Sequence, residues 1–192
     1  MPRTPSNVRS MSESIERYQA LADQFGARVE ATSDDGWDAQ SPCPDWKARD
    51  VVRHITDSQR HMTAQLTGQE PVEPAADADP KELWRSSYAA LREALAQPDV
   101  TEKKLSSPMG EMPVDAALGR LASMDILVHT WDLARATGGD EHLDQDAVAH
   151  AFEGIKPMGP MIRRPGVMGP EVEPPAGADL QTQFLCFLGR NP

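Results

Sequence analysis

The chain has 192 residues, enough for one domain with a sizeable hydrophobic core. It contains 30 Asp and Glu residues against 19 Lys and Arg residues, which gives a net charge of −11. This acidic balance disfavours nucleic acids and anionic membranes, which both need a positive protein surface, and indicates small molecules, cations or other proteins as partners. No apolar run reaches the length of a membrane span, so no transmembrane helix is predicted.

Residues 1–10 are polar and lack the apolar core of a secretory signal, which predicts a disordered lead-in before a single domain of residues 11–192. Alanines are many, aromatic residues are few, and apolar residues recur at helical spacing, so the predicted fold class is all-α. Four long helices fit a four-helix bundle with two long connections. These helices are predicted at residues 12–32, 46–67 (capped by Asp45), 80–96 and 114–137, with a loop at 97–113 that turns at Pro108-Met109-Gly110.

A tail follows the fourth helix. It is predicted to contain a fifth helix near residues 144–156, an irregular C-terminal extension at 157–178 with at most a short strand or two, and a short terminal helix at 179–188. Cys43 and Cys186 are far apart and form no metal-type pair, so we interpret them as free thiols of a cytoplasmic protein.

Polar residues interrupt the apolar face of the fourth predicted helix. Asp125 and His129 are four residues apart and Asp132 lies three further on, so all three share one helix face. An unpartnered buried carboxylate is costly, and a bound metal would satisfy it if another helix supplied His54. Two imidazoles and a carboxylate suit zinc, nickel, iron or cobalt and leave a coordination position open. Asp132 can then orient His129 or serve as a general base.

A simpler interpretation stays open, because an Asp and a His at this spacing also form a plain hydrogen-bonded pair and His54 can be an ordinary partly buried histidine. His61, two turns beyond His54, is interpreted as a rim histidine. Cys43 is expected to pack as a small hydrophobe close to the site. Arg135 and Arg190 either attract an anionic substrate or interact with helix ends.

Two sequence signatures resemble a known family. Residues 41–46, SPCPDW, followed by 51–54, VVRH, resemble the first signature of the mycothiol-dependent maleylpyruvate isomerase N-terminal domain family, within the DinB-like (YfiT-like) metalloenzyme superfamily. Residues 125–138, DILVHTWDLARATG, resemble its second signature. The last six residues, FLGRNP, are similar to the end of a short actinobacterial subgroup of metal-binding proteins.

The resemblance implies a DinB-like four-helix bundle that binds a divalent metal through His54, Asp125 and His129. Asp125 stands where the isomerase typically has Glu, which keeps the ligand type with a shorter side chain. The isomerase also has a second domain that completes its active site, and the 192 residues leave no room for one, so maleylpyruvate isomerisation itself is not expected. Thiol S-transferases of the superfamily use the metal to activate a small thiol.

The predicted function is therefore a metal-dependent thiol transferase or isomerase, with zinc ahead of nickel and iron and with mycothiol as cosubstrate. The metal would lower the pKa of the thiol, and Asp132 would accept its proton. Two alternatives remain: a non-catalytic, metal-stabilised module that binds a ligand or partner, and a non-haem iron oxygenase. The expected partners are a small thiol and an electrophilic substrate, with no nucleic acid and no membrane, and homodimer formation is left open.

Overall fold

The computed structural model describes residues 12–107, 110–159, 163 and 169–192, and helices dominate these residues. This confirms the all-α fold class, whereas the four-helix-bundle topology and the single-domain division stay predictions. The predicted lead-in, residues 1–10, lies outside the described residues. In chain order the elements are α1 (Glu13–Ala31), α2 (Ala48–Thr67), α3 (Pro80–Leu95), β1 (Lys104–Ser107), β2 (Gly110–Pro113), α4 (Val114–Ala116), α5 (Ser123–Thr137), α6 (Gln145–Ile155) and α7 (Leu180–Phe187).

Local sequence sets the ends of these helices. At the start of four helices, a side-chain oxygen of the preceding residue accepts a hydrogen bond from a free N–H of the first turn. In α3, Pro80 also occupies a first-turn position that needs no N–H donor. The capping residues are Ser12, Asp79, Asp144 and Asp179. Gly68 and Gly138 end α2 and α5 with φ of 72° and 68°, a left-handed conformation that glycine adopts without steric cost.

The core lies where α1, α2, α3 and α5 meet. Helix α2 packs against α3 and α5, and α1 also packs against both. Gly26 allows α1 to approach α3 closely, because a Cβ at this position would lie 2.6 Å from the Trp84 Nε1 atom. The largest side chains that are fully buried come from several elements and include Tyr18, Phe25, Leu91, Leu118, Trp131 and Phe184.

The second helix begins later than predicted, at Ala48 rather than residue 46. Asp45 is not its cap, because Asp45 adopts a left-handed φ of 64° in the preceding turn. The Lys47 N–H instead donates a 2.8 Å hydrogen bond to the Asp50 side chain inside the first turn. A bridge between Gln40 and Lys47 closes the preceding residues into a loop against the start of α2.

The predicted loop at 97–113 contains a hairpin that the sequence did not indicate. Strands β1 and β2 pair in antiparallel register, with Leu105 opposite Met112. Each strand has four residues and Leu105 is their one buried side chain, so no apolar alternation could reveal them. Of the predicted turn, Pro108 and Met109 lie outside the described residues, and Gly110 has a φ of 103°.

The predicted fourth helix is not a continuous α-helix. A π-helical segment, Ala117–Ala122, separates α4 from α5. The predicted irregular extension starts with a 3₁₀ turn at Lys156–Met158, while residues 160–162 and 164–168 lie outside the described residues. Among the described helices, none combines the length and apolar character that crossing a membrane requires.

Candidate metal centre

Three side chains from two helices converge at one point. Helix α2 supplies His54, and α5 supplies Asp125 and His129 one turn apart. The His54 Nε2 atom lies 3.1 Å from one Asp125 carboxylate oxygen, and the His129 Nε2 atom lies 3.5 Å from the other. The two imidazole centroids are 4.8 Å apart, in an edge-on arrangement. The structure therefore brings together all three residues that the sequence predicts as metal ligands.

These separations suit ligands that share one small cation, and the 3.1 Å distance is also that of an ordinary hydrogen bond. Two atoms bound to zinc at about 2.0–2.1 Å in tetrahedral geometry lie about 3.4 Å from each other. The side chains of His54 and Asp125 are about one-third exposed, at 34% and 32%, whereas that of His129 is 7% exposed. A cation at this point would thus be anchored from the core side and remain accessible from the other.

Trp46 covers the two imidazoles from the loop before α2. Its ring centroid lies 5.0 Å from that of His54 and 5.7 Å from that of His129, with the latter pair stacked. The loop is held by hydrogen bonds to the Trp46 carbonyl from the Ser41 N–H and the Gln40 side chain. The sequence gave no signal for this contact.

A buried polar cluster holds His129 on the side away from Asp125. The Nδ1 atom of His129 lies 2.8 Å from the Asp132 carboxylate, whose side chain is fully buried. Arg190 donates to both oxygens of Asp132, from Nε at 3.1 Å and from Nη2 at 2.7 Å. The same Nη2 atom lies 3.3 Å from the Cys43 Sγ atom. An ion pair between a C-terminal arginine and a core aspartate thus fixes the orientation of the imidazole.

His129 belongs to two groups that could hold a metal within the described part of the chain. One comprises His54, Asp125 and His129, and the other comprises Cys43, His129 and Asp132. In the second group the Arg190 guanidinium already contacts both the thiol and the carboxylate, so a positive charge occupies the place of a cation. Among the described residues, no Lys or Arg contacts the first group, which fits a divalent metal.

The pKa shifts of Asp125 and His129 agree with separate roles for the two imidazole nitrogens of His129, with Nε2 facing Asp125 and Nδ1 facing Asp132. Burial would raise the pKa of Asp125, but hydrogen bonds with His129 and His54 outweigh it and hold that pKa well below its usual range. Burial would lower the pKa of His129, but hydrogen bonds with Asp125, Asp132 and Cys43 raise it well above the ordinary value. A metal on Nε2 would replace a proton there while Nδ1–H stays on Asp132, the usual pattern for a metal-binding histidine.

The structure also places the other residues that the sequence analysis singled out. His61 is exposed at the rim of a cavity beside His54, as its spacing suggested. Arg135 lies over the Trp131 ring and pairs with Glu141, away from the centre. Cys43 is buried like a small hydrophobe, but its contact with the Asp132 carboxylate at 3.4 Å was not expected. The role of Arg190 could not be read from the sequence, because its partner Asp132 lies 58 positions earlier in the chain.

Fold and site together define the class: a mainly α-helical protein with a candidate divalent-metal centre between two helices. The family model described as "Mycothiol maleylpyruvate isomerase N-terminal domain" matches residues 18–134, and the chain belongs to this family. The predicted family membership is thereby confirmed.

Two curated relatives are similar over nearly their full length. They are "Uncharacterized protein MT0763" from Mycobacterium tuberculosis strain CDC 1551 / Oshkosh and "Uncharacterized protein Rv0738" from strain ATCC 25618 / H37Rv. Each is 28% identical over 177 residues, which covers 91% of this chain and 96% of the relative. No solved structure gives a significant match to this chain.

Proposed function

We propose that the protein is a divalent-metal-dependent enzyme that joins a small thiol, mycothiol, to a small electrophile or isomerises the electrophile through such an adduct. The observation that carries the proposal is the convergence of His54, Asp125 and His129 at distances that suit one cation. Family membership supports a mycothiol-related role. Zinc is the first choice for the metal, since nitrogen and oxygen donors in this number suit it, and nickel and iron fit the same donors.

A bound metal would supply a low thiol pKa, so that the sulfur reacts as thiolate at neutral pH. The thiol proton leaves to water through the open side of the centre, where His54 and Asp125 are partly exposed. The thiolate then forms a C–S bond with the electrophile. In a transfer reaction the leaving group departs with the electrons of its bond to carbon. In an isomerisation the thiolate adds to a conjugated C=C bond, whose π electrons move onto the attached acceptor group. After rotation about the new single bond these electrons return, the C–S bond breaks and the thiolate is released.

Asp132 is better placed to position His129 than to accept a proton. Its side chain is fully buried and both oxygens accept hydrogen bonds from Arg190. Burial would raise its pKa, but hydrogen bonds from His129 and Arg190 lower it to about 2, far from the range of an effective base at neutral pH. We therefore assign Asp132 and Arg190 the role of positioning residues that hold the imidazole toward the metal, in preference to the predicted general base.

Metal analysis and calorimetry of the full chain test the proposal. The purified protein is expected to carry a stoichiometric divalent metal and to bind mycothiol when zinc-loaded but not after metal removal. His129→Ala should abolish metal-dependent thiol binding. His142→Ala is the matched control, because His142 is almost fully exposed and contacts Asp140 rather than the centre. Equal thiol affinity in both variants would contradict the assignment of the centre.

The same titration separates the enzyme from the non-catalytic alternative. In a metal-stabilised binding module, metal removal would lower the melting temperature but mycothiol would produce no heat of binding. Native protein that contains only iron and consumes oxygen would instead support the oxygenase alternative. A cavity against two of the three ligands favours the catalytic reading, because a purely structural metal site is closed on all sides.

A further inference from the structure

A cavity of about 430 Å³ lies directly against the candidate metal centre. It is bounded by α2, by the π-helical segment with the first turn of α5, by β1 and by Tyr18 of α1. His54 and Asp125 form part of its wall as well as part of the centre, so a molecule held there would lie next to the cation. The volume falls within the range of about 300–1,000 Å³ that is usual for small-ligand sites.

The π-helical segment forms one side of this cavity. Ala117, Leu121 and Ala122 line it, and two of these three side chains are as small as a methyl group. A π-helix is wider than an α-helix and is found frequently at functional sites. The irregularity in the predicted fourth helix therefore coincides with the place where space is needed beside the metal ligands.

The remaining wall is apolar or neutral in charge. Met62 and Leu105 contribute apolar surface from α2 and β1. Ser58, Gln65 and Ser106 contribute hydroxyl and amide groups, which can hydrogen bond to a ligand without carrying charge. Such a lining suits a ligand that is largely apolar and contains a few oxygen or nitrogen atoms.

The charged groups that face the cavity are acidic, and no Lys or Arg occurs among its described lining residues. The acidic groups are Asp57 and Asp125, accompanied by His54 and His61. Arg60 is not among these lining residues, and its Nη2 atom is 2.8 Å from the Asp57 carboxylate, so that positive charge is already paired.

This charge distribution decides which ligands the cavity can hold. A metal at the centre could neutralise one carboxylate of a ligand. A second carboxylate would lie near the Asp57 carboxylate, with no Lys or Arg among the described lining residues to pair with it, and like charges repel each other. A dianion such as maleylpyruvate therefore matches the cavity poorly, whereas a neutral molecule has no such penalty.

We propose that this cavity is the electrophile site and that it selects an uncharged, mainly apolar small molecule over a dicarboxylate. The identity of the occupant as the electrophile rests on the proposed thiol function. Selection against charged ligands does not rest on the thiol function, because it follows from the residues that line the cavity. The cavity proposal and the proposed thiol function can therefore fail separately.

A matched pair of unreactive probes tests the charge selection. Dimethyl phthalate and phthalate share one carbon skeleton and differ in two negative charges. Calorimetric titration of the full chain, both zinc-loaded and metal-free, should show at least tenfold tighter binding of the diester. Phthalate affinity equal to or above that of the diester would overturn the proposal.

Two variants locate the binding and its charge dependence. Leu121→Trp should fill the cavity and abolish diester binding, with circular dichroism to verify folding, and an unchanged affinity would place the ligand elsewhere. His61→Lys adds a positive charge at the exposed rim without touching the core and should strengthen phthalate binding several-fold. Thr67→Lys is the control, since it adds the same charge to exposed surface of α2 outside the cavity lining. An equal gain in both lysine variants would refute a local charge effect.

The mycothiol titration distinguishes this inference from the proposed function. Metal-dependent thiol binding without diester selectivity would reject the cavity inference alone. Diester selectivity without thiol binding would leave the cavity inference standing and reject the thiol chemistry.

Discussion

Replacing Arg190 with Met should destabilise the protein far more than the same replacement of an arginine on the surface. The variant keeps the length of the side chain but removes the guanidinium, so the fully buried Asp132 carboxylate retains only its contacts with His129 and Cys43. Removal of one partner from a buried ion pair costs about 3–5 kcal/mol, and the 16% exposure of Arg190 argues for the lower end. About 3 kcal/mol corresponds to a loss of about 6–12 °C in melting temperature for a chain of this size.

Arg85→Met is the matched control. Arg85 also donates two hydrogen bonds to a carboxylate, at 2.8 and 2.6 Å from the Glu30 oxygens, but both side chains are largely exposed. Exposed pairs contribute little, because water and salt screen them, so this variant should unfold almost as wild type does. Urea titration at neutral pH followed by circular dichroism measures the free energy of unfolding of each protein. Equal losses in the two variants would refute the argument that burial makes the Arg190 pair important.

Three further predictions concern the same core. Asp132→Asn should weaken zinc binding by about 10- to 100-fold through looser orientation of His129, as measured by competition with a chromophoric chelator, and wild-type affinity would contradict the positioning role. The pKa of folded Asp132 is about 2, whereas an unfolded Asp titrates at about 3.9, so its ionised form stabilises the fold by about 2–3 kcal/mol. This stabilisation is present above the unfolded value and is lost as the pH falls through about 2. Urea unfolding of metal-free protein should therefore show a steeper acid loss for wild type than for Asp132→Asn, and parallel losses would argue against it. Gly26→Ala should lower the free energy of unfolding by about 1–3 kcal/mol, because it forces a Cβ against Trp84. Gly154→Ala, which has open space around it, should raise that free energy by about 0.5–1 kcal/mol. Thermal melts measure both changes, and an unchanged melting temperature for Gly26→Ala would show that α1 and α3 can separate freely.

The sequence was sufficient for features that depend on local patterns. Helical spacing of apolar residues predicted most ends of the long helices to within two residues. For example, α3 was predicted at 80–96 and is observed at Pro80–Leu95. The separation of Asp125 and His129 by one turn needs only helix geometry, and their closeness follows from it. His54 is different, because its place beside them depends on how α2 packs on α5, which the resemblance to a family implied and spacing alone did not.

The sequence was insufficient where backbone geometry or distant residues decide the outcome. Asp45 looks like a helix cap, but the turn places it in a left-handed conformation and the helix starts after it. The π-helical segment Ala117–Ala122 has the composition of an ordinary helix, so nothing in its residue types marks the change. Arg190 pairs with Asp132 across 58 positions of the chain, and a lone arginine near a terminus carries no sign of its partner.

The Asp132–Arg190 pair connects the stability of the fold to the chemistry of the centre. Well-packed apolar residues often stabilise a core as much as a buried ion pair does, so stability alone gives little reason for a charge at position 132. An apolar side chain there could not accept the hydrogen bond from His129 Nδ1, and the imidazole would then lose the contact that turns its other nitrogen toward His54 and Asp125. The carboxylate fixes the ring, and Arg190 makes a buried carboxylate tolerable. The cost of that arrangement is consistent with a core shaped for metal binding rather than for stability alone.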